Sequence, residues 1–220
     1  GSIASLVSAN VDAGFSIVSY TGNNTAGATV GHGLSEVPEM IIVKITSGSI
    51  GNWAIFHKDV GATKFLMFTS SAAQTSSLWW NDTAPSSSVF SLGTVSDTNG
   101  NGYGYIAYCF HSVAGYSKIG SYTGTGSDLS VNVSFEPAFI MIKCVDNSGS
   151  AWFIVDNKRG AGAKGVAKFI EPNSSGAEFT NAVYGCIFTS TGFTIPGGTS
   201  VNLNQNGIDY IYMTFATNPT

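Results

Sequence analysis

The chain has 220 residues, a formal net charge of −4 and 43% hydrophobic residues, but only 10% charged ones, against ~25% in an ordinary globular domain. This balance excludes a general nucleic-acid binder, which needs a basic face to neutralise phosphates, and a disordered chain, whose apolar content would be lower. No apolar run approaches the ~20 residues of a membrane span, so the surface must be dressed by Ser, Thr, Asn and the 27 glycines.

In chain order, residues 1–13 read as a lead-in, with 3–11 either a short helical turn or an extended segment. Short apolar runs bounded by Gly, Ser, Asn and Pro follow at 15–21, 28–34, 39–45, 52–57, 64–69, 76–81, 88–93 and 103–111, which is sandwich spacing. The continuous apolar run 40–43 marks a strand buried on both faces. In Ser77-Leu78-Trp79-Trp80-Asn81, strand alternation sends Leu78 and Trp80 to the core and leaves Trp79 outside between Ser77 and Asn81. An aromatic ring between hydroxyl and amide groups suits a sugar; the alternative packs Trp79 under a loop or at an inter-domain seam.

The segment Asp97-Thr98-Asn99-Gly100-Asn101-Gly102 begins like a calcium loop. Its twelfth position is Tyr108 where such loops carry a bidentate Glu, and Asn-Gly before a strand signals a hairpin. A hairpin turn is therefore expected, with a cation as the alternative. In the strand that follows, alternation puts Ile106, Tyr108 and Phe110 on one face and Tyr105 on the other.

Self-comparison then organises the chain. Gly14-Phe15-Ser16 leading to Tyr20-Thr21-Gly22 recurs as Gly115-Tyr116-Ser117 leading to Tyr122-Thr123-Gly124. The run 38–44, beginning Pro38-Glu39-Met40, recurs at 137–143, and Trp53 recurs as Trp152, both at an offset of 99. Phe90-Ser91-Leu92 matches Phe193-Thr194-Ile195, and Tyr105, Ile106 and Phe110 match Tyr210, Ile211 and Phe215. The expected fold is all-β, with two tandem jelly-roll-like β-sandwiches at 14–113 and 114–220 that arose by internal duplication. Trp53 and Trp152 are expected at equivalent core positions. Tyr105, and Tyr210 with Tyr212, are expected to face outward, under cover from the sister domain or another chain.

These landmarks resemble a repeated domain of structural proteins from marine bacteriophages and metagenomic viruses, near the C-terminus of tail-fibre-like or other virion-appendage chains. The lead-in Ile3-Ala4-Ser5-Leu6-Val7-Ser8-Ala9-Asn10 and the stretch Trp80-Asn81-Asp82-Thr83-Ala84-Pro85 share the resemblance. It implies a location on the virion, as an external appendage or on the capsid surface, after synthesis in the host cytoplasm. It carries over no catalytic residue and no ligand.

Little else points to chemistry. The thirteen acids are scattered through expected turns, where Asx-type hydrogen bonding is their common role, and no G-x-S-x-G elbow is present. His32, His57 and His111 lack metal-ligand spacing, and no cofactor is expected. Cys109, Cys144 and Cys186 read as buried free thiols. Lys158, Arg159, Lys164 and Lys168 hold four of the nine basic residues in a Gly/Ala-rich loop. That loop is either a solvated insertion or a contact for anionic polysaccharide or lipid phosphate. The functional expectation is a non-catalytic receptor-binding or tail-fibre module whose ligand contacts are Trp79, Asn81, Ser77, Lys158 and Arg159. Its partners would be host-surface glycan or lipopolysaccharide and other virion proteins, with a homotrimer by appendage analogy and no nucleic acid or membrane insertion. The alternative is an architectural capsid-decoration or fibre-packing domain without a ligand.

Overall fold

The computed structural model describes residues 1–69, 71–198 and 202–219. Its regular structure is nearly all antiparallel β-strand, and it divides into two compact units, one of residues 1–68 and 73–112, the other of the described residues in 69–72 and from Val113 onward.

The first unit holds β1 (Ser5–Asn10), β2 (Phe15–Thr21), β3 (Ala28–Gly31), β4 (Met40–Ser47), β5 (Ala54–His57), β6 (Lys64–Met67), β7 (Gln74–Thr75), α1 (Ser77–Trp80), β8 (Val89–Leu92), α2 (Ser96–Asn99) and β9 (Gly104–Phe110). Its large sheet runs β1-β2-β9-β4-β5-β6-β7, and β3 pairs separately with β8. The second unit holds β10 (Ser117–Thr123), β11 (Leu129–Asn132), β12 (Pro137–Cys144), β13 (Trp152–Asp156), β14 (Ile187–Thr189), β15 (Gly192–Ile195) and β16 (Asp209–Ala216). Its sheets run β10-β16-β12-β13 and β11-β15-β14. The open alternative at the lead-in resolves to strand, because β1 pairs with β2 over all six of its residues.

β-Branched and aromatic residues make these strands, and alternation sorts them. In the first unit Val18, Tyr20, Ile41, Val43, Phe56, Tyr105 and Ala107 join Val30, Phe90 and Leu92 of the small sheet in one core. In the second, Tyr122, Ile140, Ile142, Phe153, Tyr210 and Tyr212 join Phe193 and Ile195. The three cysteines are free and buried.

Three expectations about faces are corrected here. Tyr105, Tyr210 and Tyr212 do not point outward but belong to the two cores. Tyr105 stacks on Tyr20 at 5.0 Å, and Tyr210 on Tyr122 at the same distance. The Tyr105 hydroxyl donates to Ser96 O and accepts from Gly100 N at 2.6 Å, and the Tyr210 hydroxyl accepts from Gln205 N at 2.9 Å, while their stacking partners Tyr20 and Tyr122 donate to Thr98 O and Leu203 O, both at 2.8 Å. A phenol can therefore sit inside because its polar tip finds a partner.

Trp152 stands opposite Lys143 in β12, and Trp53 lies just before β5, but neither belongs to a core cluster. Alternation places Trp152 on the sheet face that carries Ile154, and Trp53 lies over Tyr108, on the face that carries Ile42 and Ile55. Trp152 is buried, whereas Trp53 remains 38% exposed beside the Lys44 ammonium, 5.7 Å from its ring.

The third correction concerns residues 76–81, which form the helical turn α1 and not a strand. Ser76 caps its start, the Oγ accepting from Leu78 N, and Asn81 closes it in the left-handed conformation at φ 54°, a region Asn tolerates better than most residues. The carbonyls of Leu78 and Trp79 accept from Val95 N and Gly93 N. A Cβ on Gly93 would lie 2.1 Å from Leu78 O, so glycine is what lets this turn dock. Both tryptophans drop into the core, Trp79 stacked on Phe65 at 3.9 Å and Trp80 edge-on to Phe56 at 5.9 Å.

Candidate functional site

The sugar-binding face expected of Ser77, Trp79 and Asn81 is not formed. Trp79 is only 6% exposed, and the apolar side chain turned to solvent is Leu78, 54% exposed. A helical turn advances side chains by about 100°, so neighbouring residues share a side where strand alternation would separate them. Ser77 stays exposed and Asn81 half-buried, joined by the bond from Asn81 N to Ser77 O.

Lys158 and Arg159 sit in the turn after β13, in the second unit. The Asp156 carboxylate accepts from Lys158 N, Arg159 N and Arg159 Nε at 2.7–2.9 Å, and from Arg159 Nη2. Burial pushes the Asp156 carboxyl upward, but these bonds and the guanidinium charge outweigh it and hold the group below its ordinary value. Glu178 pairs with Lys168 at 3.2 Å and approaches Arg159 at 3.8 Å. Two of the four basic residues of the loop, Arg159 and Lys168, are thus paired with acids. Among the described residues, Lys158 is the member of the expected pair without an ion pair.

The loop at Asp97 is α2 followed by a turn, not a two-residue hairpin, because β8 pairs with β3 while β9 pairs with β2 and β4. Two of its side-chain oxygens are committed to the fold. Asp97 Oδ1 accepts from Asn52 N, and Asn99 Oδ1 from Asn23 N. Asn99 Nδ2 donates to Gly93 O and Thr25 O. Asn204 does the same in the second unit, accepting from Thr125 N and donating to Ser127 O and Ile195 O.

The best-formed polar site lies elsewhere, in a cleft of about 430 Å³ lined by residues 36–39, Lys58, His111 and Ser112. Glu39 is its hub. Oε1 pairs with Lys58 Nζ at 2.7 Å, while Oε2 accepts from Ser112 N at 2.8 Å and from Ser112 Oγ. Burial raises the carboxyl's pKa, but the Lys58 and Ser112 bonds prevail and keep it below the ordinary range. His111 Nδ1 faces Ser112 O at 2.9 Å, which fixes the proton on that nitrogen. Val37, 45% exposed, supplies an apolar rim.

A family described as "Domain of unknown function (DUF7483)" matches residues 1–219. The chain belongs to the DUF7483 family. The match runs across both units. No curated protein and no solved structure is significantly similar to the chain.

The sequence reading missed this cleft. A usable signal was present, since repeat alignment sets Glu39 and Lys58 against the uncharged Ala138 and Asn157.

Proposed function

We propose that this member of the DUF7483 family is a non-catalytic bacteriophage virion module, a tail-fibre or receptor-binding element that recognises host-surface carbohydrate or lipopolysaccharide. It is built from two tandem copies of one jelly-roll-like sandwich. Support for duplication comes from strand order: β2-β9-β4-β5 in one unit corresponds to β10-β16-β12-β13 in the other. Irregular features recur as well. Lys44 Nζ bonds Gly51 O as Lys143 Nζ bonds Ser150 O, and Asn99 and Asn204 bracket equivalent loops. The left-handed Gly33 corresponds to Ser134, at φ 72° and 70°.

The observation that carries the binding reading is the Glu39–Lys58–Ser112 cleft in a chain otherwise poor in charge. Its volume lies within the ~300–1,000 Å³ of small-ligand sites. The absence of catalysis is argued from the same carboxylate. A glycosidase general acid needs a raised pKa, and Glu39 is held in the opposite direction. Virion location, partnership with other virion proteins and a homotrimeric parent rest on the resemblance to phage appendage chains.

The test is an array of bacterial lipopolysaccharides and capsular polysaccharides, with release of reducing ends followed in parallel. Retention on a subset without release is expected. Absence of binding across the array refutes recognition, and release of reducing ends refutes the non-catalytic assignment.

One observation favours the architectural alternative. β1 is a six-residue edge strand without charge or proline, exposed along nearly its whole length, and such edges pair with other chains unless blocked. If packing is the role, a Val7→Lys variant should abolish self-association seen by light scattering and leave the array unchanged.

A further inference from the structure

We infer that the Glu39–Lys58 corner of the first unit is the carbohydrate subsite, and that it takes a neutral pyranose through two adjacent hydroxyls. The inference rests on the carbohydrate reading above and adds the site and the sugar chemistry to it.

Folding does not require the charges. The second unit builds the same corner without the ion pair, although Glu136 lines it. Asn157 stands for Lys58, and its backbone N bonds Ala138 O at 2.9 Å as Lys58 N bonds Glu39 O at 2.8 Å. Thr217 stands for Ser112, donating its Oγ1 to Pro137 O at 3.0 Å and accepting from Asn157 Nδ2 at 3.2 Å. An ion pair on a partly exposed surface adds little stability. Its presence in one unit alone therefore calls for another purpose.

The shape and polarity of the corner add to this. The first unit's cleft is about 430 Å³, and the second unit's, beside Ser134, Phe135 and Glu136, about 250 Å³. Lys58 uses one of its three N–H groups on Glu39, which leaves donors for a ligand. Among the described residues Glu39 Oε1 accepts from Lys58 Nζ alone and keeps an acceptor position. A carboxylate and an ammonium 2.7 Å apart form a paired acceptor and donor. That pairing is what two neighbouring ring hydroxyls satisfy, one donating to Glu39 and the next accepting from Lys58. The exposed Val37 side chain gives the C–H face of the ring an apolar surface.

Charge excludes the rivals. An anionic ligand would meet Glu36 and Glu39 against a single, already engaged ammonium. A cationic ligand would meet Lys58 seated on the carboxylate it needs.

The experiment uses the whole chain, with methyl α-glucoside, methyl α-mannoside and methyl α-galactoside as probes in ligand-observed NMR titration, alongside the polysaccharide array. The variants are Lys58→Met and Val37→Ser; the second alters an exposed side chain and leaves folding untouched. Thermal melts accompany both. The expected result is saturable binding of at least one probe, weakened tenfold or more by Lys58→Met and several-fold by Val37→Ser, with parallel losses on the array. Array binding that survives both variants places the sugar site elsewhere and overturns this inference while leaving carbohydrate recognition standing. An array without any binding overturns both.

Discussion

Lys143 offers a sharp test of the energetics, because a lysine in this position should make stability rise with pH. Its side chain is fully buried in β12, and Nζ donates to Ser150 O in the hairpin that leads to β13. Among the described residues no carboxylate pairs with it. Burial pushes the amine from 10.5 down to about 8, only partly offset by the nearby Cys144. The folded chain therefore releases this proton earlier than the unfolded chain. Between pH 8 and 10.5 the unfolded state holds more protons, so the free energy of unfolding climbs across that window and levels off above it. The climb is at most about 3 kcal/mol, and about 2 kcal/mol once relaxation of the surroundings about the charged amine is allowed for. Lys143→Met removes the titration and also leaves Ser150 O without its donor, at about 1–3 kcal/mol. The second cost is independent of pH and cancels when the variant is compared with the parent at two pH values. Urea unfolding at pH 7 and pH 10.5 should show the variant losing about 2 kcal/mol more, relative to the parent, at the higher pH. Parallel curves for the two proteins would refute the argument.

Two further outcomes are expected. His32 accepts from Leu34 N at Nδ1 and bonds Ser86 O at Nε2, so the fold holds the neutral ring; burial, assisted by His111, lowers its pKa despite the Ser86 bond. Its stabilisation is complete above the unfolded value of ~6.5 and is lost as pH falls below it, and an NMR midpoint at or above 6.5 for this ring would contradict that. Trp79→Ala should cost ~3–5 kcal/mol as a core truncation, and Trp53→Ala only ~1–2 kcal/mol because much of its ring already meets water. Equal losses in urea unfolding would contradict the assignment of faces.

The strands were legible because their signals are local and redundant. The expected run 15–21 coincides with β2, and 88–93 and 103–111 enclose β8 and β9. The alternation of β9 was read correctly as a partition, but its inside and outside were exchanged. Phenol rings looked like surface groups, but the Tyr105 and Tyr210 hydroxyls find partners in the segments just before their own strands, at Ser96 O, Gly100 N and Gln205 N. Residues 76–81 failed for a different reason. An apolar run this short has no distinguishable period, and arbitration falls to its flanks. The flanks were informative: Ser76 before the run and Asn81 after it are cap residues. The cleft lay beyond any local reading, since residues 36–39, Lys58 and Ser112 meet only through the pairing of β4 with β5 and β9.

One row of the two large sheets shows how a shared strand order tolerates different cores, and it yields a last expectation. In the first unit Val18, Ala107, Val43 and Ala54 stand side by side across β2, β9, β4 and β5. These small residues share their core with Trp79 and Trp80, delivered by α1. In the second unit the corresponding row is Gly120, Tyr212, Ile142 and Phe153. Here the sheet itself supplies the bulk, and Gly120 makes the room. A Cβ at Gly120 would lie 2.7 Å from Tyr212 Oη and 2.9 Å from its Cζ. The ring cannot swing clear, because it packs edge-on against Phe193 at 5.3 Å and lies near Tyr122 at 6.4 Å. Gly120→Val alone should therefore cost about 1–3 kcal/mol as overpacking, and Tyr212→Ala alone about 3–5 kcal/mol as a cavity. Combined, the two recreate the Val18–Ala107 pair, and the new valine occupies part of the vacated space. The double variant should then be more stable than the sum of the single losses predicts, by about 1–3 kcal/mol of coupling. Urea unfolding of the four proteins measures that coupling directly, and additivity to within ~0.5 kcal/mol would mean that the glycine is not there for the tyrosine.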